Sequence, residues 1–475
     1  MECRQNVENT EVLVEYPARV VEAPSKIVPS SQRHFHKMAT DPRTSRATPL
    51  SIPVPVESLP DELLLDIFEY AQHSNSRGKC VLPTEVLISH VSRRWRQLAV
   101  DNPKLWTELV VTSQMPSDRI STYLARSGQC LLDISFELLS RVLASTRTNL
   151  SIMDTLMHHA ERWRTFVFNG KITNLIIVHP HSPAPHLESF RIRSLGAAPG
   201  GLKPAVTMTT MWSWLSIALA NLTTIEVCVP YWQTKTSFTD FRRVMSASPS
   251  LRHLALRGCL IEMEPGFTHP VIDIPSLRSL SIGHGSGTQM PHMLELLSTP
   301  ALEFLELMDF DVTEWNIFRR VVKDKTSEYS SLRSLRLLDV DVEELDVWLM
   351  DATPMITHLM VIDREFSQAT VDLFLTALRD QAQATLRAGG LPCWSDLRIL
   401  TLSHPDPALL QSVVSTRMDT GQPLSRLRLD RSFFSNMPLE WLQKHTSVEE
   451  IVVKEYTDGS PLPRHRIGEY TDGRE

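Results

Sequence analysis

Gly283-His284-Gly285-Ser286-Gly287 and the pairs His34/His36, His158/His159 and His179/His181 are the residues whose type and spacing come nearest to supporting chemistry. A glycine-rich turn after an apolar strand can cradle a phosphate or carry a nucleophilic serine, and paired histidines can ligate zinc. Neither pattern completes. Position 288 is Thr, so a G-x-G-x-x-G loop fails, and Ser286 lacks the Gly two residues to either side that a nucleophile elbow requires. No His pair is joined by Cys or carboxylates at ligand spacing, and no H-E-x-x-H occurs. The six cysteines (Cys3, Cys80, Cys130, Cys228, Cys259 and Cys393) contain no CxxC. That argues against a zinc knuckle or disulfide framework and for a reducing compartment, cytosol or nucleus. Trp315, Trp348 and Trp441 lie in apolar stripes suited to core packing. The sequence predicts no catalytic residue, no metal and no cofactor.

With 475 residues and 42% apolar content, the chain is long enough for more than one domain. A net charge of -7 without a basic stripe argues against general nucleic-acid binding. The most apolar stretch, residues 211–222, is shorter than the ~20 residues of a membrane span. Glu2, Glu8, Glu11 and Glu15 argue against a signal or transit peptide.

Residues 1–57 are rich in Pro, Ser, Thr and Arg and end on Pro49, Pro53 and Pro55. They are expected to be disordered, and Met38 offers an alternative start. Residues 58–110 carry helical spacing. Pro60 suits a first helical turn and Asp61 and Glu62 complement its N–H groups. Pro60, Leu63 and Ile67 fall on one side, and Leu64, Phe68 and Ala71 on the adjoining one. After a polar loop, Thr84 is the expected N-cap of one further helix bearing Leu87, Ile88, Val91, Trp95 and Leu98. Asn102-Pro103 ends it, before Leu105-Trp106.

From about residue 130 a unit L-x-x-L-x-L recurs. Its strongest copies are Leu251/Leu254/Leu256, Leu277/Leu280/Ile282, Leu302/Leu305/Leu307, Leu332/Leu335/Leu337, Ile356/Leu359/Val361, Leu397/Leu400/Leu402, Leu424/Leu427/Leu429 and Val448/Ile451/Val453. Weaker copies begin at Leu131, Trp163, Leu187 and Leu222. Most are about 24–30 residues apart, with helical patterns between, such as Trp315/Phe318/Val321/Val322 and Val371/Phe374/Leu375/Leu378. Strand and helix alternating in one direction imply parallel strands with right-handed crossovers. Residues 455–475 hold Glu-Tyr-Thr-Asp-Gly twice, at 455 and 469, and are expected to form a flexible tail.

Leu59-Pro60-Asp61-Glu62-Leu63, then V-S-R-R-W-R-x-L-A at 91–99, then N-P-x-L-W at 102–106, resemble an F-box in residue identity and order. The units after it resemble a leucine-rich repeat. The implied fold is α/β: a three-helix F-box at 58–110, then a leucine-rich-repeat-like solenoid at 111–454. Two departures stand out. Val56 takes the place of an aromatic found in some relatives. The repeat slot usually filled by Asn or Cys is kept by Cys259 but holds Gly285, Phe310, Val340, Arg364 and Pro405 in later units, so an irregular solenoid is expected.

The resemblance implies a non-catalytic substrate receptor of a cullin-based ubiquitin ligase. It would bind a Skp-type adaptor and, through it, the cullin scaffold. Leu59, Pro60, Leu63 and Ile67 would be the adaptor anchors, and Leu64, Phe68, Val91, Trp95 and Leu98 the F-box core. The repeats would hold a protein substrate on the strand positions that point away from the core. His253, Phe304, Arg336, His358, Arg426 and Arg428 are the candidate contacts, the arginines as receivers of a phosphorylated segment. The alternative is a leucine-rich-repeat binding or scaffold protein with a diverged F-box.

Overall fold

The computed structural model describes residues 56–75, 82–112, 115–138, 146–170, 183–194, 221–228, 235–258, 260–262, 269–283, 289–342, 348–363, 368–388, 394–430 and 439–451. The expected disordered start, the duplicated tail, the 284–288 loop, His34/His36 and His179/His181 lie outside them. The chain divides between Leu59 and Pro60 into two units. Of the first, a 3-10 turn at Val56–Ser58 and Leu59 are described; the second holds every other described residue.

Three helices open the second unit: α1 (Asp61–Asn75), α2 (Thr84–Ser89) and α3 (Arg93–Asp101), followed by a 3-10 turn at Pro103–Trp106. The single helix expected from Thr84 to Leu98 is two. Ser92 breaks it by taking an extended conformation and accepting the Trp95 N–H, an N-cap for α3. Thr84 is the first residue of α2, not its cap. Leu64, Phe68, Ile88, Ala99, Leu105 and Trp106 are buried, and the Phe68 and Trp95 rings sit 4.8 Å apart.

The rest is one parallel sheet. Its strands are β1 (Glu108–Thr112), β2 (Leu132–Leu138), β3 (Trp163–Gly170), β4 (Ser189–Ser194), β5 (Thr224–Cys228) and β7 (His253–Arg257). It continues through β10 (Ser279–Gly283), β12 (Phe304–Phe310), β13 (Ser334–Val340) and β14 (His358–Ile362). It ends with β15 (Ile399–Leu402), β16 (Arg426–Asp430) and β17 (Ser447–Ile451). Among the described residues these thirteen strands pair in chain order. Two small pairs flank them: β6 (Lys235–Ser237) with β8 (Leu260–Glu262), and β9 (Ile272–Asp273) with β11 (Leu297–Ser298).

From β7 to β16 each unit stacks in phase with the next. Leu254, Leu280, Leu305, Leu335, Leu359, Leu400 and Leu427 are register partners, and so are Leu256, Ile282, Leu307, Leu337, Val361, Leu402 and Leu429. All are buried. At roughly 1.5–3 kcal/mol per buried aliphatic side chain, these two rows are the main stabilising term of the sheet. Helices Val312–Asp324, Gln368–Ala388 and Pro407–Asp419 bury Trp315/Phe318/Val321/Val322, Val371/Phe374/Leu375/Leu378 and Leu410/Val413/Val414.

Three findings depart from the sequence expectation. A strand at Glu108–Thr112 precedes the first expected unit, so the boundary drawn at 110 falls inside β1. The last unit is offset: Val448, not Ile451, lies opposite Leu427. In two of the units that lack Asn, the residue before that slot is left-handed. Asp309 and Asp339 take positive φ (54° and 51°), a conformation Asp tolerates better than most residues. The chain thereby turns the next residues, Phe310 and Val340, into buried positions.

The helical module joins the sheet through a buried polar contact. Helix α4 (Ser117–Arg126), which follows β1, supplies Tyr123, whose hydroxyl donates to the Glu85 carboxyl of α2. Burial raises both groups above their ordinary ranges, so Tyr123 stays protonated. The Trp106 ring meets Tyr123 edge-on at 5.1 Å, and the Arg126 guanidinium lies 4.4 Å over Trp106. Tyr123→Phe leaves Glu85 without this donor and is expected to cost about 1–3 kcal/mol in urea denaturation; a loss near zero would show that the bond does not tie module to sheet.

Candidate functional site

The first candidate surface is α1. Each turn buries one stripe and exposes another. Leu64, Phe68 and Gln72 face inward, the Gln72 amide donating to the Leu105 carbonyl at 3.1 Å. Leu63, Ile67 and Tyr70 are 49%, 46% and 75% exposed. Their spacing puts them along one helix side. Of the eleven large apolar side chains found exposed among the described residues of the second unit, six lie between Leu63 and Val91. Exposed apolar side chains aligned on one helix are a candidate partner surface.

The basic motif around Trp95 locks this surface in place. Arg94 donates to Asp61 at the start of α1, with Nε–Oδ1 at 2.8 Å, and Arg96 donates to the Ser89 carbonyl at 2.9 Å. Asn102 and Lys104 both reach Glu69, each at 3.2 Å. The Trp106 indole donates to the Ala99 carbonyl at 2.8 Å. Of the expected anchors, Leu63, Ile67 and Pro60 are exposed and Leu59 is half-buried. Of the expected core, Leu64 and Phe68 are buried, and Trp95 and Leu98 half-buried. Val91 is a correction. It sits in the turn between α2 and α3 and is 61% exposed, because the break at Ser92 carries it off the helical stripe. Tyr70 was missed, although its i+7 spacing from Leu63 was visible.

The second surface is the sheet face opposite the leucine rows. Register brings acids and bases onto neighbouring strands. Arg193 makes a bidentate pair with Glu226, at 2.7 and 2.9 Å, and Arg191 adds a 3.9 Å contact. Glu306, 2% exposed, accepts from Arg257 and from the Ser281 hydroxyl at 2.6 Å, with Arg336 at 3.7 Å. Burial alone would raise the Glu306 carboxyl. The guanidiniums of Arg257 and Arg336 and the Ser281 hydroxyl outweigh it and hold it below the usual carboxylate range. Met308, Leu338, Met360, Ile362 and Ile451 form a buried apolar cluster. Gly283 belongs here by necessity, since a Cβ would stand 2.5 Å from that of Met308.

This revises the substrate contacts expected from sequence. Arg336 and Arg428 are only 8% and 9% exposed. Arg336 is held against Glu306 and stacks over Phe304 at 4.8 Å, and Arg428 pairs with Glu449 at 2.9 Å. Each is buried and already held by a carboxylate on the neighbouring strand, so neither guanidinium stands open to solvent. Arg426 is exposed but shares Glu449, at 3.1 Å. His253, Phe304 and His358 are half-buried.

An F-box-like family profile matches residues 56–112, the segment from before α1 through β1. No curated protein matches the chain. Among the solved structures it matches is a crystal structure of a Bacteroides fragilis protein, 14% identical with a TM-score of 0.30. That match covers 56% of this chain and 66% of the other, just under two thirds of its length.

His358 gives the sheet face a pH signature. Burial, then the charges of Arg428, Arg336 and Arg426, lower its pKa from 6.5 to about 4. The unfolded chain therefore takes up this proton first. Stability is expected to fall as pH drops from about 6.5 to about 4, with no further loss from this group below that. His358→Gln should flatten the melting-temperature profile in that window; an unchanged profile would remove His358 as its cause.

Proposed function

We propose that this chain is a non-catalytic substrate receptor of an SCF-type ubiquitin ligase, working in the cytosol or nucleus. The observation that carries this reading is the exposed Leu63–Ile67–Tyr70 stripe on α1, inside the F-box-like segment. F-box domains in general bind Skp-type adaptors. Burying these three side chains at ~25 cal/mol per Å² contributes several kcal/mol before association costs. The adaptor would connect the chain to the cullin scaffold. The sheet would hold a protein substrate, and the ligase would act through raised effective concentration rather than through any group on this chain. The Glu85–Tyr123 junction supports the reading, because it gives the adaptor-side helices a firm connection to the sheet.

The test is co-expression with a Skp-type adaptor followed by size exclusion. Wild type is expected to elute as a one-to-one complex, and Leu63→Asp/Ile67→Asp to lose it without a change in melting temperature, since both side chains are solvent-exposed. A complex that survives the double substitution would sink the assignment. A complex that forms with the adaptor but never recruits a cullin would point to a scaffold role.

A further inference from the structure

The N-terminal rim of the sheet carries a row of arginines. One residue before each strand, the backbone forms its own ladder. Arg278 N–H donates to the Arg252 carbonyl, Glu303 to Arg278, Arg333 to Glu303, Thr357 to Arg333 and Arg398 to Thr357, all at 2.8–2.9 Å. These six rungs therefore stand one strand apart, at roughly 4.8 Å per step. Four carry arginine, and all four arginines are exposed. Arg278 pairs with Glu303 on the next rung. Arg252, Arg333 and Arg398 make no ion pair among the described residues. On the sheet face beside them the arginines already contact a carboxylate, two to each of Glu226, Glu306 and Glu449. The exposed rim guanidiniums other than Arg278 lack such a contact among the described residues.

Arg278, Arg333 and Arg398 are evenly spaced, two rungs or roughly 9.6 Å apart. A polyproline II segment has three residues per turn and rises about 3.1 Å per residue, so every third side chain returns to one side after about 9.3 Å. A β-strand does not match, because its residues i and i+3 point to opposite sides.

We infer that the rim formed by Arg278, Arg333 and Arg398, with Arg252 one rung beyond, docks an extended, polyproline II segment of a partner protein bearing a carboxylate or phosphate at every third residue. This deepens the substrate side of the proposed function. Its test involves no adaptor, so either idea can fail without the other. Glu303 is the built-in competitor, since the ligand must displace it from Arg278.

The experiment is fluorescence anisotropy on the full chain with labelled Pro/Ala peptides of about twelve residues. One carries four Glu at every third position, one has the same composition with its four Glu alternating in a single run, and one carries phosphoserine at every third. The third-spaced peptides are expected to bind several-fold more tightly than the second-spaced one, and to weaken as salt rises. Arg278→Glu/Arg333→Glu/Arg398→Glu should reduce binding about tenfold or more, the sum of three modest exposed pairs. Glu303→Gln should tighten it about twofold, a gain that a folding defect cannot mimic. Binding by the phosphoserine peptide alone also supports the inference and names phosphate as the source, because Arg–phosphate pairs are the stronger. Equal affinity for both spacings, or indifference to the triple reversal, would overturn it.

Discussion

In-phase stacking of parallel strands is the constraint on which the rest of this molecule depends. A slip of one residue would send every inward leucine to the opposite face. The pairing Leu254–Leu280–Leu305–Leu335–Leu359–Leu400–Leu427 fixes the register across seven strands. With it come the positions of everything else on the sheet: Arg257 two strands from Glu306, Arg428 beside Glu449, and an arginine row along the rim. None of these pairs is local in sequence; Arg257 and Glu306 are 49 residues apart.

A repeat sheet built this way has ends, and an open strand edge invites unwanted pairing. At the N-terminal end the helical module runs directly through Trp106 into β1. Glu85, Tyr123, Trp106 and Arg126 close the seam with one buried hydrogen bond, one ring contact and one cation over a ring. Buried polar contacts of this kind add little net stability but penalise alternatives strongly, because a wrong seam leaves a buried carboxyl unsatisfied. The geometry favours a fixed relation between the exposed stripe of α1 and the sheet.

Charge is handled differently on each part of the surface. Beside α1 the basic residues of α3 are structural: Arg94 and Arg96 tie α3 to α1 and α2, leaving the apolar stripe as the distinctive feature. On the sheet face, pairs of arginines share single glutamates, and Glu226 and Glu306 stay ionised because guanidinium contacts outweigh the burial that would raise them. Guanidiniums already held against a carboxylate are less open to a ligand. The rim differs because its residues project into solvent, where desolvation is small and a partner can still gain the interaction.

The sequence by itself determined the local and periodic features. Leu-Pro, the V-S-R-R-W-R and N-P-x-L-W motifs and the L-x-x-L-x-L units named a helical module followed by parallel strands and helices, since apolar spacing records which side of an element is buried. The Leu63–Ile67 stripe was legible for the same reason, and Tyr70 could have been added to it. The Leu-Arg pairs at 252, 278, 333 and 398 were in plain view but meant nothing until the strands were aligned. Tertiary structure alone decided which arginines are open and which are spent, because that depends on the neighbouring strand and not on the flanking residues. It also decided that Val91 lies outside the core, through a single serine cap, and that Asp309 and Asp339 are left-handed. Period predicts a face; only register predicts a partner.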